Sequence, residues 1–204
     1  MIELIAFLGN YGEEYKNTRH NTAWLFESSL PFTDKLLWQS KHKADFCSCY
    51  YQDIVSSPPK NYPPKLYFIK PMTYMNLSGE AVGEAARFYK IPAENILIVH
   101  DEIELPLGTV SLKWSGGLGG HNGLRSIKAS LGTADFWRLR FGVGKPANVN
   151  IADYVLGAFS ADERIILSQV FSQANVLLDK VLSANNAQHL LTEWGKKKVI
   201  PEVK

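Results

Sequence analysis

Three observations predict an α/β fold. Short, continuous apolar runs alternate with amphipathic helical stretches, three of those runs end in polar clusters, and a glycine-rich loop leads directly into a helix. The expected architecture is a single three-layer α/β/α domain over 1–204 around a central mixed, mostly parallel sheet. The C-terminal helices would occupy about 160–195, followed by a basic tail at 196–204. No internal repeat, coiled-coil heptad or inter-domain linker interrupts the pattern.

The first run, Ile2 to Leu8, reads as a strand buried on both faces and is broken by Gly9-Asn10-Tyr11-Gly12. A polar loop leads to Thr18-Arg19-His20-Asn21, where Asn21 or Thr22 is expected to cap a helix carrying Ala23, Trp24, Phe26 and Leu30. Residues 44–55 alternate loosely and read as one strand. Four of the ten prolines lie between Ser56 and Pro64, which marks a surface connection. Leu66 to Ile69 is a second buried strand, and Asn76 or Ser78 should cap a helix of about 79–89 whose apolar face comprises Ala81, Val82, Ala85, Ala86 and Phe88. Ile96 to Val99 is the third buried strand, ending in His100-Asp101-Glu102. Thr109 to Trp114 alternates as a strand, Leu124 to Leu131 is helical, and Trp137 to Val143 is a strand with outward Arg138 and Arg140. Ser160 and Glu163 form a capping box for a long helix to about Ser183, with Ile166, Val170, Ala174, Leu177 and Val181 as its stripe. A short helix over Ala187 to Trp194 precedes Lys196-Lys197-Lys198, whose default reading is a frayed end.

Composition narrows the function classes. The chain has 204 residues, 46% of them apolar, and a net charge of only +2, so no global field marks a polyanionic partner. Locally, Lys113 to Asn150 holds six basic residues against Asp135 alone, which fits either a solvated surface or an anion-binding face. Cys47 and Cys49 would share one strand face, held too far apart for an easy bridge, and read as buried free thiols in a reducing compartment. The N-terminus lacks a basic n-region and a cleavage site, and no apolar run reaches membrane-spanning length. The expectation is a soluble, cytoplasmic protein without a membrane partner.

Five of the fifteen glycines fall between Gly116 and Gly123, in a loop that ends His121-Asn122-Gly123. Such a run is present for its backbone, either as a mobile surface loop or to bring N–H groups close to a ligand at a helix start. In an open α/β sheet, loops at the carboxyl ends of parallel strands share one edge, so Asn10, His20, Asn76 and Asp101 can converge there. A histidine beside an aspartate can act as a general base, and asparagine amides can hold a carbonyl, a water or an oxyanion. His20 and Asp101 can equally be structural, a hydrogen-bonding histidine and a cap. There is no Gly-x-Ser-x-Gly elbow and no cysteine at a helix start, so base-activated water is the economical chemistry. His20, His100 and Asp101 have no recognisable metal-ligand spacing, and no metal or cofactor is expected.

Gly9-Asn10 with Thr18-Arg19-His20-Asn21, Met75-Asn76-Leu77-Ser78-Gly79, His100-Asp101-Glu102, Gly119-Gly120-His121-Asn122-Gly123-Leu124, and Arg138-Leu139-Arg140 with Gly142 and Gly144 follow one another in this order. Together they resemble the motifs of the bacterial-type peptidyl-tRNA hydrolase family. The resemblance implies a monomeric, metal-independent hydrolase that cleaves the ester between a peptide and the 3′ ribose of tRNA, recycling tRNA from stalled translation. By this resemblance His20 is the catalytic base, Asp101 orients it, and Asn76 positions substrate and water. Asn10 and Asn122 bind substrate, Met75 and Tyr15 line the peptide side, and Lys113 and Arg140 take a tRNA phosphate. Tyr11 stands where the family usually has proline, Leu118 where it usually has a first loop histidine, and Glu104 where it more often has aspartate. Two other classes use parts of the same pattern: a tRNA-binding module without catalysis, and a small-molecule hydrolase or phosphorylase whose glycine loop cradles a phosphate.

Overall fold

The computed structural model describes residues 1–146 and 148–200. One eight-stranded sheet runs through them, with strands β1 (Leu4–Phe7), β2 (Gln39–Lys41), β3 (Ala44–Tyr50), β4 (Lys65–Pro71), β5 (Ile96–Glu102), β6 (Thr109–Trp114), β7 (Trp137–Gly142) and β8 (Lys197–Lys198). The spatial order is β2-β3-β4-β1-β5-β7-β6-β8. The four central strands β4, β1, β5 and β7 are parallel, and β3 and β6 flank them antiparallel. Every residue of β1 is buried, as its continuous apolar run requires for a strand covered on both faces.

The helices are α1 (Thr22–Glu27), α2 (Tyr51–Ile54), α3 (Ser78–Tyr89), α4 (Asn122–Leu131), α5 (Ile151–Leu156), α6 (Ala161–Leu182) and α7 (Leu191–Trp194). Alternating residues of the sheet feed two apolar clusters. Ile5, Phe7, Leu97, Val99, Leu139 and Phe141 join α1 and α6 on one face; Leu4, Ala6, Ile96 and Ile98 join α3 and α4 on the other. The α/β/α layering is therefore as expected. The helices α3 and α4 approach closely because Gly79 carries no side chain: a Cβ there would overlap the Ser126 carbonyl, and Gly79 N donates to Ser126 Oγ at 2.8 Å.

Several local expectations are corrected. The strand expected over 44–55 stops at Tyr50, and Tyr51–Ile54 turn as a short helix with the Tyr51 ring buried and its hydroxyl donating to Leu182 O at 2.9 Å. The strand β2, three exposed polar residues, carries no apolar signal and adds to the expected strands. It joins β3 through a two-residue turn in which His42 and Lys43 both have φ of 56°, a conformation usually supplied by Asn-Gly. Contacts to α3 hold that turn, His42 Nδ1 lying 3.0 Å from Glu84 and Lys43 Nζ 2.7 Å from Glu80. Phe88, expected on the apolar face of α3, is exposed; its ring lies tilted against His42 and beneath the Lys41 ammonium instead.

Neither expected cap of α1 or α3 forms; the Asn21 side chain is used elsewhere, as described below. The capping box of α6 does form, and Leu167, Val170, Phe171, Ala174, Leu177, Leu178, Val181 and Leu182 are its buried face. By length and composition α6 is apolar enough to cross a membrane, contrary to the expectation that no stretch reaches that length. Its buried face, however, is part of the sheet-packing core. Cys47 and Cys49 are free thiols with sulfurs 3.7 Å apart, but only Cys47 is buried as expected, Cys49 being half-buried near the end of β3. Of the tail, Lys197–Lys198 pair with Thr109–Val110 rather than fraying, and 201–204 lie outside the described residues.

Candidate active site

The carboxyl ends of β1, β4 and β5 open onto one cleft of roughly 630 Å3, within the range of ligand sites. Asn10, Tyr15, His20, Met75, Asn76, Asp101 and Asn122 all line it together with His121, so seven of the nine residues expected to act in catalysis, substrate contact or phosphate contact meet in one place. Lys113 and Arg140 do not line it. They lie beyond Glu102, which forms part of the cleft wall.

The turn after β1 is fixed by side chains. Asn21 receives Asn10 N–H on Oδ1 at 2.8 Å and donates from Nδ2 to Asn10 O at 3.0 Å. Asn10 Oδ1 in turn accepts Met75 N–H at 2.8 Å, joining the ends of β1 and β4. Tyr11 N–H donates to Thr73 O at 3.2 Å, a bond that proline cannot make, so this turn has hydrogen bonds where a proline would supply a φ restraint. Asn76 is exposed in the cleft, and its amide has no protein partner among the described residues.

Asp101 is the hub. Its Oδ1 lies 2.9 Å from His20 Nδ1 and 3.1 Å from His121 Nε2, while its side chain is only 1% exposed. Burial favours the protonated acid, but the two imidazoles outweigh it and hold the carboxyl far below the usual range, so Asp101 is ionised. For His20, burial opposes the charged form, and the charge and hydrogen bond of Asp101 prevail to raise its pKa above the ordinary value. With Nδ1 bonded to Asp101, His20 keeps Nε2 free of protein partners among the described residues, in a side chain 13% exposed that lines the cleft.

His121 reaches Asp101 as well, a link that its place at the end of the glycine loop does not signal. Its Nδ1 accepts the N–H groups of Gly123 at 3.1 Å and Leu124 at 3.4 Å as the N-cap of α4. That fixes the tautomer: Nε2 carries the proton and donates to Asp101. Metal-ligating atoms of His20, Asp101 and His121 lie within 4.8 Å of one another. In this tautomer, however, the Nε2 lone pair of His121 is unavailable to a cation, so the donor set fits a proton clamp better than a metal. His100 is buried against the edge of the His121 ring, donates from Nδ1 to Asp101 O at 2.6 Å, and is held neutral by burial and by His121.

The glycine loop follows with positive φ at Ser115, Gly116, Gly119 and Gly120. Its course is set by Arg138, which donates to the carbonyls of Ser115, Gly116 and Gly117. The expectation of an outward Arg138 is therefore corrected: strand alternation turns it away from the Trp137-Leu139-Phe141 face, but the loop folds over it and leaves it 1% exposed. Arg140 is also largely covered, 3.3 Å from Glu102 and donating to Ser111 Oγ at 2.7 Å. Lys113 has no ion-pair or hydrogen-bond partner among the described residues, and burial together with Arg138 and Arg140 lowers its pKa. Three cations thus face one carboxylate. Leu118 packs against the apolar cluster that contains Met75 and Leu124.

Comparison with known proteins supplies the family. A family model described as peptidyl-tRNA hydrolase matches residues 4–201. The chain belongs to the peptidyl-tRNA hydrolase family. The peptidyl-tRNA hydrolase of Treponema pallidum is 45% identical over 203 residues, covering 98% of this chain and 97% of that protein. The enzyme of Dichelobacter nodosus is 39% identical over 196 residues, covering 94% and 98%. A crystal structure of peptidyl-tRNA hydrolase from Acinetobacter baumannii superimposes with a TM-score of 0.81 at 32% identity, covering 98% of this chain and 97% of that one. Hydrolysis of peptidyl-tRNA is the reaction of the family, and this chain is an enzyme of that class with its α/β fold.

Beyond the expected residues, the cleft contains Glu102, Tyr74 and four residues of α5: Ile151, Ala152, Val155 and Leu156. Ala147 lies outside the described residues, and Asn150 caps α5 by accepting Ala152 N–H at 2.9 Å. Asn150 followed by apolar residues at 151 and 155 was the available signal for this helix.

Proposed function

We propose that His20 is the general base of ester hydrolysis on peptidyl-tRNA, with Asp101 as its orienting partner. His20 Nε2 takes a proton from water as the oxygen attacks the acyl carbon, and the ionised Asp101 stabilises the imidazolium that forms. The same proton then passes to the departing ribose oxygen, restoring neutral His20. The unpartnered amide of Asn76 holds the water and the developing oxyanion. Asn10 and Asn122 contact substrate, and Tyr15 and Met75 line the peptide side. Lys113 takes a tRNA phosphate directly, while Arg140, steadied by Glu102 and Ser111, reinforces the positive field beside it. The enzyme acts as a single-domain, cytoplasmic monomer that returns tRNA from stalled translation.

The observation that supports this most is the shared carboxylate. A buried, ionised Asp101 bonds one histidine whose outer nitrogen is free in the cleft, and a second histidine whose tautomer is fixed by α4. The direct test incubates purified protein with N-acetyl-aminoacyl-tRNA and with unblocked aminoacyl-tRNA. Rapid release of the blocked amino acid is expected, and its loss by about 10²-fold or more in His20→Ala. Tight tRNA binding with the blocked ester intact would make the protein a binding module instead.

A further inference from the structure

The polar end of the cleft leaves a second wall without a role in the chemistry. There α5 contributes Ile151, Val155 and Leu156 to the same cleft as Tyr74 and Met75, and no charged side chain of α5 lines it. A six-residue helix has too few internal hydrogen bonds to define its own position. The Tyr154 hydroxyl anchors one side of it by donating to Val143 O at 2.6 Å, and its C-terminal end is held by Arg19, the residue before His20. Arg19 NH1 donates to Gly157 O at 3.2 Å and to Ala158 O at 3.0 Å, just past the end of α5. Its NH2 donates to both carboxylate oxygens of Glu163, at 2.7 and 3.0 Å. The guanidinium lies 4.3 Å from the ring centre of Tyr154 on α5 and 5.2 Å from that of Phe159. Main-chain bonds run alongside: Arg19 N–H donates to Gly157 O and Phe159 N–H to Asn17 O. Glu163 is itself locked, because its carboxylate also accepts Ser160 N–H at 2.7 Å in the capping box of α6.

We propose that the Arg19–Glu163 pair is a positioning strap that holds α5 as a pocket for an apolar side chain next to the scissile ester. Arg19 touches no reacting atom. It ties the apolar wall to the residue that precedes the base, so that side-chain binding and base placement share one frame. The proposal rests on the cleft being the active site. It goes further in assigning a substrate preference to α5 and the origin of that preference to an ion pair outside the cleft.

The test charges one tRNA transcript chemically with either N-acetyl-leucine or N-acetyl-glycine, which keeps the tRNA body constant. For the unaltered enzyme, KM is expected to be about ten-fold lower for the leucyl ester, the scale of placing a few methylene groups in an apolar pocket. In Arg19→Gln and in Glu163→Gln that advantage should shrink to about two-fold, mainly through KM of the leucyl ester. The exposed Leu156→Ser on the wall itself should do the same without disturbing the strap. If Arg19→Gln does not fold, Glu163→Gln and Leu156→Ser decide. Equal KM values for the two esters in the unaltered enzyme overturn the proposal, as does an undiminished leucyl advantage in the strap variants. An unaltered enzyme that leaves both esters intact overturns the active-site reading and the strap with it.

Discussion

Asp101 sets the electrostatics of this site, because one buried oxygen serves two imidazoles. Replacing it with asparagine removes the charge while keeping the volume. Turnover should fall by about 10²–10⁴-fold, since the tautomer and the imidazolium both lose their partner. The pH profile should move as well. With His20 as the proposed base, kcat/KM of the unaltered enzyme is expected to rise with pH through the raised pKa of His20, where the imidazole becomes neutral. In Asp101→Asn only burial acts strongly on His20, so that limb should shift to lower pH; an unmoved limb would separate the titrating base from Asp101. Stability follows the same linkage. The raised pKa of His20 contributes stability below its ordinary value of about 6.5, and this is lost as pH rises through the raised value. The depressed Asp101 works in the opposite direction, contributing at neutral pH and losing its effect only in strong acid.

At the scale of elements, the glycine loop and α4 act as one unit hung from β7. Arg138 supplies the strut, and the loop it shapes delivers His121 to both the helix start and Asp101. Arg138→Met removes three carbonyl contacts together with a desolvated cation, two effects that offset each other in stability. Thermal stability should therefore change little while kcat/KM falls by about ten-fold or more, as the loop residues lose their placement. Wild-type kcat/KM in that variant would show that the loop keeps its course unaided. Legibility in the sequence differs between these elements. Continuous apolar runs at Ile2 to Leu8 and Ile96 to Val99, and the Ser160–Glu163 capping box, encode local structure that neighbours do not alter. The turn at His42-Lys43 and the short α5 are held by contacts with remote partners, so no local signal sufficed.

For the whole molecule, function depends on the cleft and the cationic group lying side by side across Glu102. A nearly neutral chain cannot attract tRNA by net charge, so the proposed phosphate site rests on the local group of Lys113 and the covered arginines beside it. Lys113→Ala is expected to weaken tRNA binding and to reduce the slope of log K against log salt by about one, with kcat on bound substrate nearly unchanged. Binding measured across a salt series checks this; an unchanged slope would take Lys113 off the phosphate.

The sequence alone determined the layered α/β architecture, because period-two and period-3.6 patterns state which faces must be buried. It also placed Asn10, His20, Asn76 and Asp101 on one edge, since parallel strands bring their carboxyl ends together. Only the tertiary structure decided what covers each face. Alternation correctly turned Arg138 and Arg140 away from the apolar face of β7, yet a loop and a carboxylate then enclosed them. In the same way His121 became a partner of Asp101, and Arg19 a tie to α5, because folding set distant residues within hydrogen-bond reach. Periodicity fixes a side chain's direction within its own element, whereas its partner belongs to another element whose approach depends on packing across the whole chain.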